Sequence, residues 1–194
     1  MLPLQDEASL TIAVVGSACD AENDISALTS RWDLGNQYVV GGSGRVIPPT
    51  VVTILNGITK RVQHATIITS ITDNVNDAIA VSNNADVVLT CGSATTSEDR
   101  DRDSLKLQEE DFLVQLSSGV NSKPIVVILM IPGAVTLPFL SNVCGVRSPR
   151  IIISYHIRSL ITMRLEYYEN LTRASRSNTG TEESHFYSCT KDGK

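Results

Sequence analysis

The hydrophobic residues of this chain cluster in four short runs rich in Val and Ile, each with the length of a buried strand. They cover residues 11–15, 65–71, 86–91 and 124–131. Apolar runs of this length without strict alternation are typical of strands that are covered on both faces. The segments between them are compatible with helices, and this alternation of strand and helix predicts a parallel sheet.

Helical spacing supports the alternation at three places. After Pro48 and Pro49, apolar residues at intervals of three, three and four predict a helix with one face against the sheet: Val52, Leu55, Ile58 and Val62. Residues 73–85 predict a second helix and residues 108–116 a third. In the third helix the predicted buried positions are Phe112, Leu113 and Leu116, and the acids that favour its N-terminus are Glu109, Glu110 and Asp111.

We therefore predict an α/β fold with a doubly wound, mostly parallel sheet and helices on both faces, which is a three-layer sandwich. Right-handed crossovers place the loops after Val15, Ile71 and Cys91 at one edge of that sheet. Open α/β sheets bind their ligands at this carboxyl edge. Candidate site residues are therefore expected there.

Composition narrows the class of protein. The chain has 194 residues, 42% of them hydrophobic, and a formal net charge of −5. Its Lys and Arg are scattered, which argues against nucleic acid, and no apolar run reaches the roughly 18 residues that cross a membrane. Residues 1–4 lack the basic and apolar regions of a signal peptide. We predict a soluble protein of unknown localisation, whose longer ancestor could have been secreted.

Cysteine and histidine spacing argues against a metal centre or a cofactor. The four cysteines form no C-x-x-C pair and are predicted to be buried free thiols: Cys19, Cys91, Cys144 and Cys189. The three histidines show no ligand spacing and have no evident nucleophile partner: His64, His156 and His185. We therefore predict no metal site and no cofactor.

Residues 98–107 place one acid, Glu98, on a charged loop directly after a predicted buried strand. By composition alone, such a charge run is usually a solvated loop. The residue pattern of this loop, however, resembles that of glycoside hydrolase family 3. The C-terminal domain of that family carries a pattern close to E-G-x-D-R-x-x-L-x-L around its catalytic acid/base. Asp99 stands where the family usually has glycine, and the matching residues are Glu98, Asp101, Arg102, Leu105 and Leu107.

Four further segments resemble the same family in the same order. They are an L-L-P-L-like start with a first strand (1–16), a glycine-rich loop (41–48), a T-P-L-x-G-I-like segment (53–58) and a strand with a proline-glycine turn (123–139). The resemblance predicts a family 3 C-terminal-like domain over residues 1–140. Residues 141–194 form an uncertain tail, and its last part, 172–194, is polar and predicted to be disordered.

The resemblance implies that Glu98 is the general acid/base of a glycosidase that hydrolyses O-glycosidic bonds of β-glucosides or oligosaccharides. Asp101 and Arg102 would then position its loop. The family's nucleophile is an aspartate on a separate N-terminal barrel, which no segment of this chain matches. The implied partners are a carbohydrate substrate and that barrel, and the chain alone is expected to be inactive. Three spare carboxylates are weak nucleophile candidates: Asp20, Asp33 and Asp86.

Other interpretations stay open. The chain could be a non-catalytic carbohydrate-binding or partner-binding remnant that uses the loop edge of the sheet without chemistry. Trp32 could stack on a sugar ring, and a core or lid-packing role is an equal alternative. Residues 41–44 could cradle a phosphate in a nucleotide-binding domain, although they lack the P-loop spacing and a dinucleotide fingerprint. A tight turn before a helix start at Pro48 is the favoured use of these glycines.

Overall fold

The computed structural model describes residues 9–140 and 151–155 of the chain. Within them, parallel strands form one sheet: β1 (Thr11–Val15), β2 (Thr66–Ser70), β3 (Val87–Ser93), β4 (Ile125–Met130) and β5 (Ile151–Tyr155). Their order across the sheet is β2-β1-β3-β4-β5. A short 3₁₀ helix follows β1 at Ser17–Asp20, and the α-helices are α1 (Ser26–Ser30), α2 (Ile54–Arg61), α3 (Val75–Asn83) and α4 (Glu110–Gly119). The predicted α/β class with a parallel sheet is confirmed.

Both faces of the sheet are covered, because alternate residues of the central strands belong to different core clusters. Ile12 and Val14 of β1 lie in one cluster with Ile54 of α2. Ala13 and Val15 lie in the other cluster, which contains residues of α3 and α4. These four β1 side chains are at most 1% exposed, which explains why the strand is a continuous apolar run in the sequence.

The start of α2 differs from the sequence-based prediction. The helix begins at Ile54 and not at Pro48. Thr53 caps it by accepting a hydrogen bond from the backbone N–H of Asn56 at 3.1 Å. Val52 therefore precedes the helix and is 60% exposed. The remaining predicted positions pack partly buried against the core: Leu55, Ile58 and Val62.

The second and third predicted helices are confirmed as α3 and α4. Asn74 caps α3 by accepting hydrogen bonds from the backbone N–H groups of Asn76 and Asp77. In α4 the three predicted core residues are at most 5% exposed: Phe112, Leu113 and Leu116. Among the residues that the structure describes, no helix has the length and apolar character that a membrane crossing requires.

The edge strand β5 comes from beyond the predicted domain end at residue 140. It pairs in parallel with β4, from Ile151 opposite Val126 to Tyr155 opposite Met130. The rest of the predicted tail, residues 141–150 and 156–194, lies outside the described residues, and so does the disorder predicted for 172–194.

The prediction of free thiols is wrong for two of the four cysteines. Cys19, in the 3₁₀ helix, and Cys91, in β3, form a disulfide across 72 residues of sequence, and both are 0% exposed. Their Cα atoms are 5.1 Å apart because β1 pairs directly with β3. The spacing of the cysteines in the sequence does not indicate that Cys19 and Cys91 lie close together. Cys144 and Cys189 lie outside the described residues.

The loops after β1 and β2 meet at the carboxyl edge of the sheet, as predicted. The N–H of Gly16 donates to the backbone oxygen of Ser70 at 2.9 Å. Ser17 donates to the carboxylate of Asp73 from its N–H at 2.9 Å and from its hydroxyl at 2.7 Å. This edge therefore collects polar side chains from separate connections.

Candidate active site

The strand order creates a switch point between β1 and β3. The chain passes from β1 to β2 on one side and from β3 to β4 on the other, so the two connections diverge at the carboxyl edge. Residues 41–44 belong to the connection after β1, and residues 98–107 belong to the connection after β3. The predicted acid loop therefore lies where open α/β sheets usually bind ligands.

Backbone hydrogen bonds join the two loops directly. Gly41 and Ser97 form an isolated parallel bridge. The N–H of Gly41 donates to the oxygen of Thr96 at 3.0 Å, and the N–H of Glu98 donates to the oxygen of Gly41 at 3.2 Å. The glycine-rich loop is therefore hydrogen-bonded to the backbone of Glu98 and of the residues just before it.

The carboxylate of Glu98 is exposed and is held by Ser43. Ser43 donates to Oε2 of Glu98 from its hydroxyl and from its backbone N–H, each at 2.6 Å, across 55 residues of sequence. These two bonds, the hydroxyl first, hold the pKa of Glu98 below its usual value. Oε1 makes no hydrogen bond with any described residue. The contacts with Ser43 therefore favour the ionised form of Glu98.

Gly42 permits this close approach. Its φ of +115° is a conformation that residues with a Cβ rarely adopt. A Cβ at this position would lie 2.4 Å from the Cβ of Glu98 and 2.8 Å from its Oε2. The glycine-rich loop is not followed directly by a helix N-terminus, since α2 begins only at Ile54, so the arrangement does not match a phosphate cradle.

The middle of the acid loop is attached to the turn after β4. Arg102 donates from Nη2 to the backbone oxygen of Ala134. The N–H of Thr136 donates to the oxygen of Leu105 at 2.8 Å. Asp101 is exposed and forms no ion pair with Arg102. A loop-positioning role for these two residues stays a prediction, and the backbone contact of Arg102 is of the kind that such a role requires.

Each of the three weak nucleophile candidates accepts a hydrogen bond from a residue outside the acid loop. Asp20 accepts a hydrogen bond from the hydroxyl of Thr53 at 2.6 Å. Asp86 accepts from the N–H of Thr11 at 2.8 Å, at the amino end of β1 and β3 and thus at the opposite edge of the sheet. Asp33 pairs through both oxygens with Arg31.

Exposed apolar side chains stand on the segments that hold Glu98. Trp32 is 50% exposed, so it is not a core residue, and its backbone oxygen accepts a hydrogen bond from the N–H of Gly42 at 2.8 Å. Leu105, on the acid loop, is 51% exposed, and Val46, within the glycine-rich loop, is 78% exposed. These segments therefore carry apolar surface of the kind that contacts ligands or further domains.

Sequence reasoning missed the role of Glu109, which it assigned only to the N-terminus of α4. Glu109 is 8% exposed and accepts hydrogen bonds from Ser93, the last residue of β3, at 2.7 Å from the N–H and 2.8 Å from the hydroxyl. Burial raises the pKa of Glu109 and the charge of Asp73 adds to the rise, while the bonds from Ser93 oppose it. Because Ser93 precedes the acid loop and Glu109 follows it, the pair ties the two ends of the loop together.

Replacing Glu109 with Gln should change how stability depends on pH. A carboxyl group whose pKa is raised by folding stabilises the fold while it is protonated, and this contribution is lost as the pH rises through the folded-state pKa. The free energy of unfolding of the wild-type chain, measured in urea relative to Glu109→Gln, should therefore fall as the pH rises from the usual glutamate pKa of about 4.3 through the raised pKa of the folded state. The exposed Glu22→Gln is the control and should follow the wild type. A constant difference between wild type and Glu109→Gln would contradict the raised pKa.

Comparison with known protein families identifies the family of this domain. A model of the Glycosyl hydrolase family 3 C-terminal domain matches residues 1–146. The chain belongs to glycoside hydrolase family 3. The family predicted from the acid loop and its flanking segments is thereby confirmed, and the match concerns the C-terminal domain alone. No curated protein matches the chain.

Three solved structures have a similar fold over about 70% of this chain. The β-D-glucoside glucohydrolase of Trichoderma reesei is 27% identical, with a TM-score of 0.60 over 73% of this chain and 22% of that chain. The β-glucosidase D2-BGL of Chaetomella raphigera is 23% identical, with a TM-score of 0.55 over 72% and 21%. A family 3 β-glucosidase of Neurospora crassa is 23% identical, with a TM-score of 0.56 over 70% and 18%. The match spans about a fifth of these relatives.

Proposed function

We propose that this family 3 domain supplies the general acid/base of a glycosidase that hydrolyses β-glucosides, with Glu98 in that role. The observation that carries the proposal is the exposed carboxylate of Glu98, held at the switch point by Ser43 with Oε1 unengaged. The substrate class is supported by the Trichoderma reesei relative, a β-D-glucoside glucohydrolase.

The reaction needs a second carboxylate that this proposal assigns to an N-terminal barrel domain. In the first step Glu98 gives its proton to the glycosidic oxygen while the bond from that oxygen to the sugar carbon breaks, and the barrel aspartate forms an ester with that carbon. In the second step Glu98 takes a proton from water while the water oxygen attacks the same carbon and the aspartate leaves. Glu98 is then protonated again, and the sugar is free.

The protonation state of Glu98 supports the need for a further domain. A general acid must hold a proton near neutral pH, whereas Ser43 lowers the pKa of Glu98 in this domain. A domain that covered the exposed carboxylate of Glu98 would remove water from it and raise its pKa. We therefore expect the chain alone to lack hydrolytic activity.

A non-catalytic carbohydrate-binding module is the second candidate, and the half-exposed indole of Trp32 favours it. Aromatic faces offer a large apolar contact at low entropic cost. In that case the chain binds sugar, and the binding does not depend on the Glu98 carboxylate.

A chimera tests the proposal. The C-terminal domain of the Trichoderma reesei glucohydrolase is replaced by residues 1–155 of this chain, and hydrolysis of an aryl β-glucoside is compared with that of the barrel alone and of this chain alone. We expect hydrolysis by the chimera and by neither part. Hydrolysis by this chain alone would contradict the proposal that its nucleophile lies elsewhere. A folded but inactive chimera, together with glucoside binding that persists in Glu98→Gln, would favour the binding module.

A further inference from the structure

The two carboxylate oxygens of Glu98 are in different environments. Oε2 accepts both hydrogen bonds from Ser43, each at 2.6 Å, whereas Oε1 has no hydrogen-bond partner among the described residues. The hydroxyl distance is typical of a bond to an ionised acceptor. One residue of the glycine-rich loop thus makes the two oxygens chemically unequal.

The backbone around Ser43 keeps this arrangement in register. Gly41 is bridged to Ser97, and Gly42 lies against Glu98 where no Cβ fits. The close contact with Gly42 and the two donors of Ser43 limit the rotation of the carboxylate. Rotation would lose both bonds, and bonds to a charged acceptor are stronger than bonds between neutral groups.

An oxygen that already accepts two donors is a poor place for a proton. A proton on Oε2 would have to displace the hydroxyl or the N–H of Ser43, because a protonated oxygen loses acceptor capacity. A proton on Oε1 displaces nothing and leaves Oε2 as the carbonyl-like acceptor of the same two bonds. The neutral acid is therefore expected to carry its proton on Oε1.

We propose that Ser43 is a positioning residue for the acid/base reaction, one that holds Oε2 of Glu98 and thereby assigns the transferred proton to Oε1. The inference rests on the proposed function of Glu98 for its meaning in catalysis, and on the Ser43 contacts alone for its geometry. Ser43 then also governs the pH at which the acid loses its proton, because its hydroxyl and N–H favour the carboxylate.

Titration of Glu98 in the full chain tests the geometric part. With ¹³C-labelled glutamate, NMR should show a pKa for Glu98 that is higher in Ser43→Ala than in the wild type, whereas Ser43→Thr, which keeps the hydroxyl, should restore the wild-type pKa. The amide proton of Ser43 should shift as Glu98 titrates and should lose that shift in Glu98→Gln. Ser122→Ala is the control, since Ser122 is exposed before β4 at the opposite edge of the sheet.

The variant Gly42→Ala tests the contact between Ser43 and Glu98 in a second way. Its Cβ would force Glu98 away from Ser43, so the pKa of Glu98 should rise without loss of the hydroxyl. The proposal is overturned if Glu98 titrates alike in the wild type, Ser43→Ala and Gly42→Ala while circular dichroism shows all three folded. This outcome does not depend on any hydrolysis, so it is separate from a failure of the proposed function.

The catalytic part is read from the chimera. Ser43→Ala should lower kcat by about 10-fold to 10²-fold with little change in KM, because a misplaced acid affects the chemical step. The alkaline limb of the pH–rate profile, which reports loss of the acid's proton, should move to higher pH. An active chimera with an unchanged kcat and an unchanged pH profile in Ser43→Ala would overturn the assignment. An inactive wild-type chimera with a shifted NMR titration would instead count against the proposed function alone.

Discussion

Replacing Glu98 with Gln in the chimera should lower kcat/KM for an alkyl β-glucoside by about 10²- to 10⁴-fold, the usual contribution of a positioned general acid/base. Gln keeps the size of the side chain and an oxygen that can accept the bonds from Ser43. The fold and the position of the side chain should therefore persist, so that the loss reports the missing proton.

The size of this loss should depend on the leaving group. A poor leaving group such as an alkoxide needs a proton when the glycosidic bond breaks, whereas an acidic phenol leaves with less help. The deficit of Glu98→Gln should therefore be larger for an alkyl glucoside than for a dinitrophenyl glucoside. Stopped-flow or steady-state rates for the two substrates measure the difference.

The control for this prediction is Asp103→Asn, a loss of one exposed carboxylate on the same loop. It should leave both rates near those of the unsubstituted chimera. An equal loss in Asp103→Asn and Glu98→Gln would show that the charge of the loop matters and not the acid. A Glu98→Gln chimera as active as the parent on the alkyl glucoside would remove Glu98 from the mechanism.

Loss of the disulfide between Cys19 and Cys91 should lower the free energy of unfolding by about 4 kcal/mol, the chain-entropy value for a closed loop of 72 residues. The bond closes a loop from the 3₁₀ helix after β1 to β3, so it restricts much of the unfolded chain. Because both residues are fully buried between β1, β3 and α2, reduction also places two thiols in a tightly packed core.

The measurement compares oxidised and reduced protein in a background that carries Cys144→Ala and Cys189→Ala. In this background only Cys19 and Cys91 remain, so other pairings cannot form. Urea unfolding with and without a reductant gives the difference in free energy, and the protein should be produced under oxidising conditions. The fourfold Ala variant controls for effects of the reductant itself. Two titratable thiols in the unreduced, denatured protein would show that the disulfide is absent.

The strands and the class of fold can be predicted from the sequence because buried segments have a local pattern of apolar residues. Residues 12–15 and 125–131 are continuous apolar runs since helices cover both faces of the sheet, and the predicted core positions of α4 repeat with the helical period. Boundaries were less predictable. The start of α2 depends on the cap formed by Thr53, a local hydrogen bond that competes with the signal from Pro48.

The residues of the candidate site were also only partly predictable from the sequence. Glu98 could be proposed from its motif and from its place after a strand, because both are read along the chain. Ser43 and Glu109 could not, since their contacts with Glu98 and Ser93 span 55 and 16 residues and exist only after the loops return to the sheet edge.

The sequence by itself determined the parallel α/β architecture, the family and the acid at the carboxyl edge, because apolar periodicity and a local motif are properties of neighbouring residues. Only the tertiary structure decided that Cys19 pairs with Cys91 and that Ser43 holds one oxygen of Glu98. Both contacts join the β1 connection to β3 or its loop. They arise from the pairing of two strands that are far apart in sequence, and no local pattern encodes which side chains such a pairing brings together.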